Sequence, residues 1–212
     1  MAANEEPVAP GAASLKRLRL ALVVAVVLLV AGVVTLFVMR PHDRTIVSNT
    51  TAVMWASGEK RAPDFRLTDE QGNAVTLSGL RGRSVIVTFV DPHCTTFCPR
   101  ESLVLNDALR MFPVAERPAV VAVSVDPMTR SLAVLQKEAR RFKWLPQWHW
   151  AAGSAPQLNS VWRSYNIQVV PAADDIGHTE AAYLVDSNGD QRALFLWPFK
   201  AAEVAAALKQ IS

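Results

Sequence analysis

Two cysteines, Cys94 and Cys98, are the residues in this chain best suited to chemistry. Their spacing corresponds to one helical turn, which puts the Cα atoms about 6 Å apart, close enough for a disulfide bond or a shared metal ion. Pro99 follows, and proline is favoured in the first turn of a helix. Because a helix start stabilises a thiolate, the spacing predicts a reactive or metal-binding pair rather than two inert core thiols.

A histidine is the natural third ligand for such a pair. Two thiolates bind the soft ion Cu(I), and an added imidazole also suits Cu(II). His178 is the candidate ligand, although a histidine in a loop is more often an ordinary surface residue. His93 precedes Cys94 directly and is expected to lie beside the site or in solvent. Whether His178 reaches the cysteines depends on the fold.

Two runs of apolar, β-branched residues predict buried strands at Ser84–Val90 and Ala119–Val125. The cysteine loop follows the first run directly. Open α/β sheets place their functional sites at the carboxyl ends of strands, so this position favours a functional loop.

The remaining elements follow from periodicity and turn residues. Hairpin turns are predicted at 69–73 and at 186–190, where Asn188-Gly189 favours a tight turn. The predicted hairpin strands are Phe65–Leu67 with Ala74–Leu77, and Ala181–Val185 with Arg192–Trp197. The predicted helices are Pro99–Met111, Ser131–Phe142, Pro156–Tyr165 and Lys200–Ile211. For the tryptophans near residue 148, core packing is favoured over a docking surface.

The order of these elements predicts an α/β fold. Strand–helix–strand–helix, followed by a hairpin and a helix, indicates a mixed central sheet, as in a thioredoxin-like fold with an N-terminal hairpin extension. In that fold the loop before Ala181–Val185 faces the cysteine loop. His178 is therefore expected to join Cys94 and Cys98.

The N-terminal part predicts a membrane anchor. Residues 20–39 carry no charge, and twenty helical residues span about 30 Å, the thickness of the hydrocarbon core of a bilayer. A cleaved signal peptide is the alternative, but no small-x-small cleavage site follows. The predicted organisation is a tail at 1–19, one transmembrane helix at 20–39, a tether at 40–61 and a folded domain at 62–212.

Charge indicates the orientation of the anchor. Lys16, Arg17 and Arg19 precede the span, so the N-terminus is expected in the cytoplasm and the domain in the periplasm or outside the cell. Without an Arg-rich amphipathic segment before the span, a bacterial plasma (inner) membrane is favoured over a mitochondrial one. The net charge of +3 is too small to indicate binding of nucleic acid.

Three motifs resemble the Sco/SenC family of copper chaperones, over about residues 62–211. They are the Cys-x3-Cys-Pro segment Cys94–Pro99, the Tyr-Leu-x-Asp segment Tyr183–Asp186 preceded by His178, and Ser124–Pro127. The resemblance implies a membrane-anchored, thioredoxin-like protein that binds copper. It also implies a role in assembling the copper centre of cytochrome c oxidase, by copper delivery, thiol reduction or both.

The resemblance also implies roles for individual residues. Cys94, Cys98 and His178 become the ligands of Cu(I) and Cu(II), and the two cysteines form the redox-active disulfide. Asp126 and His93 become residues that support the ligands or contact a partner. The implied partners are the copper-bearing subunit of cytochrome c oxidase or another exported cuproprotein, together with a periplasmic copper donor or thiol reductant.

Two enzymatic alternatives stay open. A thiol–disulfide oxidoreductase or redox sensor needs the cysteines alone, because exchange chemistry does not involve His178. A peroxiredoxin-like peroxidase is suggested by the Thr-x2-Cys-Pro pattern in Thr95–Pro99. The proline that the peroxidase motif requires would fall at Asp91, and Pro92 is one residue out of register.

Overall fold

The computed structural model describes residues 21–32, 52–171 and 176–211. The chain divides into two units, Met1–Arg44 and Thr45–Ser212. In the first unit, residues 21–32 form helix α1 with every side chain exposed. Within the described ranges, no helix combines the length and the apolar character that crossing a bilayer requires. The rest of the predicted tail, span and tether up to residue 51 lies outside the described residues.

In the described part of the second unit there are ten strands and four α-helices, and strands and helices alternate between β4 and β7. The strands are β1 (Ala52–Met54), β2 (Arg66–Thr68), β3 (Ala74–Thr76), β4 (Val85–Val90), β5 (Ala119–Ser124), β6 (Trp148–Ala151), β7 (Val169–Val170), β8 (Gly177–His178), β9 (Ala181–Val185) and β10 (Gln191–Leu196). The helices are α2 (Cys98–Arg110), α3 (Leu132–Arg141), α4 (Ala155–Ser164) and α5 (Ala201–Ile211).

A six-stranded mixed sheet with the order β1-β10-β9-β4-β5-β6 forms the centre of this unit. The strands β4, β5 and β6 run parallel, whereas β9 pairs antiparallel with both β4 and β10. The strands β2 and β3 form a separate antiparallel hairpin, and so do β7 and β8. The predicted α/β architecture with a mixed central sheet is confirmed.

Side chains of the central strands alternate between two apolar cores, because successive residues of a strand point to opposite faces. On β4, Ile86 and Val90 belong to the core that includes residues of α2, α3 and α5. Val87 and Phe89 belong to the other core, with residues of α4 and the β2–β3 hairpin. Burial on both faces explains why five of the six residues of β4 are apolar, with no alternation of apolar and polar residues.

Two strands of the sheet escape the sequence pattern. Strand β1 lies in the predicted tether, and its three residues pair with β10. Arg61, at the predicted end of that tether, forms an ion pair with Asp190 at 3.0 Å. Strand β6 contains Trp148 and Trp150, both buried, which confirms core packing for these two tryptophans. The equally short strands β2 and β3 are predicted because they flank the turn at 69–73, whereas no predicted hairpin turn lies beside β1 or β6.

Candidate metal centre

The cysteine loop begins where β4 ends, and a tight turn fixes its first residues. The carboxylate of Asp91 accepts a hydrogen bond from the His93 amide at 2.9 Å. The Asp91 carbonyl accepts one from the Cys94 amide at 3.2 Å. Cys98 is the first residue of α2, with Pro99 in the first turn. Both cysteines therefore lie at the carboxyl end of a central strand and the start of a helix, as the sequence predicts.

The structure places the side chains of Cys94 and Cys98 in hydrogen-bonding contact with each other. Both cysteines are free thiols, and they are 4% and 1% exposed. The Cys98 amide donates a hydrogen bond to Cys94 Sγ at 3.3 Å, and the Thr96 hydroxyl lies 3.7 Å from the same sulfur. The Thr96 hydroxyl belongs to the exposed turn of the loop and the Cys98 amide to the start of α2. Both groups stabilise a negative charge on the Cys94 sulfur.

The two thiols differ strongly in acidity. The hydrogen bond from the Cys98 thiol lowers the pKa of Cys94 to about 5, with further help from the amides of Cys98 and Thr96, although burial opposes the shift. The pKa of Cys98 is raised because its proton is held by the Cys94 sulfur and because the thiol is buried. At neutral pH the pair therefore consists of one thiolate and one thiol.

Helix α3 holds the cysteine loop from outside. The Arg141 guanidinium donates hydrogen bonds to the carbonyls of Pro92 at 2.9 Å and Cys94 at 3.0 Å. It also forms an ion pair with the buried Glu138 and lies over the ring of Phe142, 4.4 Å from the centroid. Because the guanidinium is itself fixed on two sides, it fixes the backbone that carries Cys94.

A buried acid lies one helical turn after Cys98. Glu101 is 2% exposed, and its Oε1 accepts a hydrogen bond from the Thr88 hydroxyl at 2.5 Å. Its Oε2 has no hydrogen-bond partner in the part of the chain that the structure describes. Burial raises the pKa of Glu101 to about 8, and the charges of Glu180 and Cys94 add to the shift. Sequence reasoning missed this residue, although its position three residues after Cys98 was visible.

His178 lies in β8, where it pairs with Val169 of β7. Its Nδ1 is 3.1 Å from the Thr179 carbonyl oxygen. Among residues 21–32, 52–171 and 176–211, no three His, Cys, Asp or Glu side chains are grouped so that they could hold one metal ion. The structure thus unites the two cysteines, and the role of His178 as third ligand stays a prediction.

The other two residues predicted for the site, His93 and Asp126, lie together. His93 Nε2 is 2.8 Å from the Thr129 hydroxyl and 3.9 Å from Asp126 Oδ2. Both residues line a cavity of about 870 Å³ between the cysteine loop and the segment that leads into β8. Asp91, Trp162 and Ile176 also line this cavity. A support or partner-contact role at this position stays a prediction.

Comparison with known proteins points to one family. The family model described as SCO1/SenC matches residues 55–212. The chain is 28% identical over 154 residues to "Protein SCO1 homolog 1, mitochondrial" of Arabidopsis thaliana, which covers 70% of this chain and 44% of that protein. It is 27% identical over 135 residues to "Protein SCO2 homolog, mitochondrial" of Bos taurus, with coverages of 59% and 50%. The chain thus spans about half the length of these relatives.

Solved structures agree in fold. A structure of Bradyrhizobium japonicum ScoI with copper bound superposes with a TM-score of 0.62 at 28% identity, and covers 72% of this chain and 99% of that one. The solution structure of apo Sco1 from Thermus thermophilus gives a TM-score of 0.64 at 25% identity, with coverages of 79% and 99%.

Proposed function

The chain belongs to the SCO1/SenC family, and we propose that it carries copper at Cys94 and Cys98 and assists assembly of the copper centre of cytochrome c oxidase. The observation that carries this proposal is the thiolate–thiol pair at the start of α2. Its support from the comparisons is the copper-bound ScoI structure of Bradyrhizobium japonicum, which is 28% identical to this chain.

The chemistry of the pair suits a soft ion. Cys94 is a thiolate at neutral pH and is ready to bind Cu(I), whereas Cys98 must first release its proton. Two thiolates satisfy Cu(I), and the imidazole of His178 would complete a set that also holds Cu(II). Copper is the cargo, so the ligands have to release the ion as well as bind it. A partner disulfide that oxidises Cys94 and Cys98 to a disulfide, and is itself reduced to two thiols, would favour release.

Location and partners complete the proposal. The side chains of helix α1 are apolar and exposed, which supports a membrane anchor over residues 20–39. The N-terminus would face the cytoplasm of a bacterium, and the copper-binding domain would face the periplasm. The receiving partner would be the copper-bearing subunit of cytochrome c oxidase or another exported cuproprotein. A periplasmic copper donor or thiol reductant would act before it.

Metal titration of the full chain tests the copper site. The anaerobically reduced protein, held in detergent, should bind one Cu(I) or one Cu(II). His178→Ala should weaken Cu(II) binding and largely spare Cu(I), whereas Cys94→Ser or Cys98→Ser should damage both. His149→Ala, which removes an imidazole from β6, serves as the matched control. Copper binding that survives loss of both cysteines would contradict the assignment.

Thiol–disulfide exchange is a second candidate function, and the unequal acidity of the two thiols favours it. The Cys94 thiolate would attack a partner disulfide and release one partner thiolate. Cys98, after losing its proton, would attack the mixed disulfide and release the second thiolate, leaving Cys94 and Cys98 oxidised. Cys98→Ser should trap the mixed disulfide, and His178→Ala should not slow the exchange. Membership of the SCO1/SenC family argues against the peroxidase alternative.

A further inference from the structure

One buried carboxylate contacts both the cysteine loop and the segment that carries His178. Asp91 is 1% exposed, and its two oxygens face different parts of the chain. Oδ1 accepts the His93 amide at 2.9 Å, within the cysteine loop. Oδ2 accepts the Ile176 amide at 3.4 Å, a contact between residues 85 positions apart in sequence. Ile176 directly precedes β8, and β8 contains His178.

The position of this contact matters because it is close to both halves of the candidate metal centre. Ile176 is two residues before His178, a separation of about 7 Å along an extended strand. Asp91 is three residues before Cys94, in the turn that the Cys94 amide closes. A buried carboxylate requires hydrogen-bond donors, so the chain segments that supply those donors are held at a fixed distance from it.

We propose that Asp91 is a positioning residue that holds the His178 segment against the cysteine loop and thereby sets the affinity for Cu(II). The inference rests on the proposed copper site. Cu(I) needs the two sulfurs, whose loop is also fixed by the turn and by Arg141. Cu(II) needs the imidazole as well, so the position of the His178 segment affects Cu(II) alone.

Asp91→Asn separates these two contacts with almost no change in shape. Asparagine has one acceptor oxygen, and the shorter bond to the His93 amide should retain it. The side-chain NH₂ group then faces the Ile176 amide, so two donors meet and the contact is lost. Asp69→Asn is the matched control, since Asp69 is also buried and accepts the Gln71 and Asn73 amides in the β2–β3 hairpin.

The experiment titrates the full reduced chain, in detergent, with Cu(I) and with Cu(II). Asp91→Asn should weaken Cu(II) binding about tenfold, as changes to groups that orient metal ligands do, and should change Cu(I) affinity less than about twofold. In the His178→Ala background, Asp91→Asn should have no further effect on Cu(II). Asp69→Asn should change neither affinity.

A copper-free measurement tests the contact itself. Amide hydrogen exchange at Ile176 should become several times faster in Asp91→Asn and stay unchanged in Asp69→Asn. Equal losses of Cu(I) and Cu(II), an unchanged Cu(II) affinity, an additive loss beside His178→Ala or unchanged exchange at Ile176 would each overturn the inference. If the wild-type chain binds no copper, the proposed function fails together with the inference about Asp91. If the wild-type chain binds copper but Asp91→Asn gives one of the results above, only the inference fails.

Discussion

The cysteine loop, residues 91–98, is held by more of the fold than the histidine segment, residues 176–180. The loop continues from a six-residue central strand, enters a thirteen-residue helix and is fixed from outside by Arg141. The histidine segment contains the two-residue strand β8, which pairs only with the two-residue strand β7 among the described residues. Further hydrogen bonds tie this segment to its neighbours: the Thr179 amide to the Gln168 carbonyl at 3.0 Å, the Gln168 amide to the Thr179 hydroxyl at 3.1 Å, the Trp197 amide to the Glu180 carbonyl at 3.1 Å, and the Ile176 amide to the Asp91 carboxylate at 3.4 Å.

In the proposed copper site, this difference in support would correspond to the difference between the Cu(I) and Cu(II) states. The cysteine loop by itself brings the two sulfur atoms together, so the affinity for Cu(I) should depend on the support of this loop alone. In the proposed site the imidazole would come from the histidine segment, so Cu(II) binding should depend on the contacts that position the short β7–β8 hairpin. Such a site would allow the ligand set to change during copper transfer without disturbing the sulfur pair.

The largest expected effect is on amide hydrogen exchange. Backbone amides of β4 and β5 should exchange at least about a thousandfold more slowly than those of β7 and β8, because central strands open only with most of the fold whereas short hairpins open locally. Exchange of the full chain followed by mass spectrometry of peptides would measure this ratio. Equal exchange rates in the β4–β5 pair and the β7–β8 pair would show that the two regions do not differ in stability.

The second prediction concerns Glu101, which is buried in the first turn of α2, three residues after Cys98. Its pKa in the folded chain, about 8, exceeds the ordinary value of 4.5, so its contribution to stability is full below pH 4.5 and is lost as the pH rises through 8. The unfolding free energy of the wild-type protein should therefore fall by up to about 1.4 kcal/mol per pH unit in that window, and this fall should be absent in Glu101→Gln. Urea unfolding of both proteins across pH 5 to 8 provides the test, and parallel curves would contradict it.

The third prediction concerns the acidity of the sulfur pair. The rate of Cys94 alkylation by iodoacetamide should rise through pH of about 5 and level off above it, because the thiolate is the reactive form. At pH 6, Cys94 should react at least about tenfold faster than Cys98, whose proton is retained. Peptide mapping assigns the sites, and a midpoint near that of free cysteine would show that the loop does not stabilise the thiolate.

The last prediction concerns the outer support of the loop, for which the expected change in copper affinity is only several-fold. Arg141→Ala removes two hydrogen bonds to loop carbonyls and leaves Glu138 buried without its partner. We expect a loss of about 2 kcal/mol in unfolding free energy and a several-fold weakening of Cu(I) and Cu(II) alike. Arg140→Ala, which removes the same charge from the same helical turn, is the control. A loss of Cu(II) affinity without a loss of Cu(I) affinity would show that Arg141 supports the histidine segment and not the cysteine loop.

Local sequence patterns determined the parts of this protein that depend on neighbouring residues. The apolar run of β4 predicts a buried strand, Pro99 predicts a helix start, and a four-residue spacing brings Cys94 beside Cys98. Each of these results depends on contacts within one or two turns of chain, which periodicity and turn chemistry report directly. The resemblance of Cys94–Pro99 and two further motifs to the SCO1/SenC family also predicted the family, which the family model over residues 55–212 confirms.

The tertiary structure alone decided which distant groups support the sulfur pair. Arg141 reaches the Cys94 carbonyl from 47 positions away, and Asp91 reaches Ile176 across 85. No local pattern marks either contact, because each depends on how α3 and the β7–β8 hairpin pack around the end of β4. Although the equally short β2 and β3 are found from the turn between them, strands β1 and β8 are not predicted, for a related reason. Their pairing comes from the partner strand and not from their own sequence.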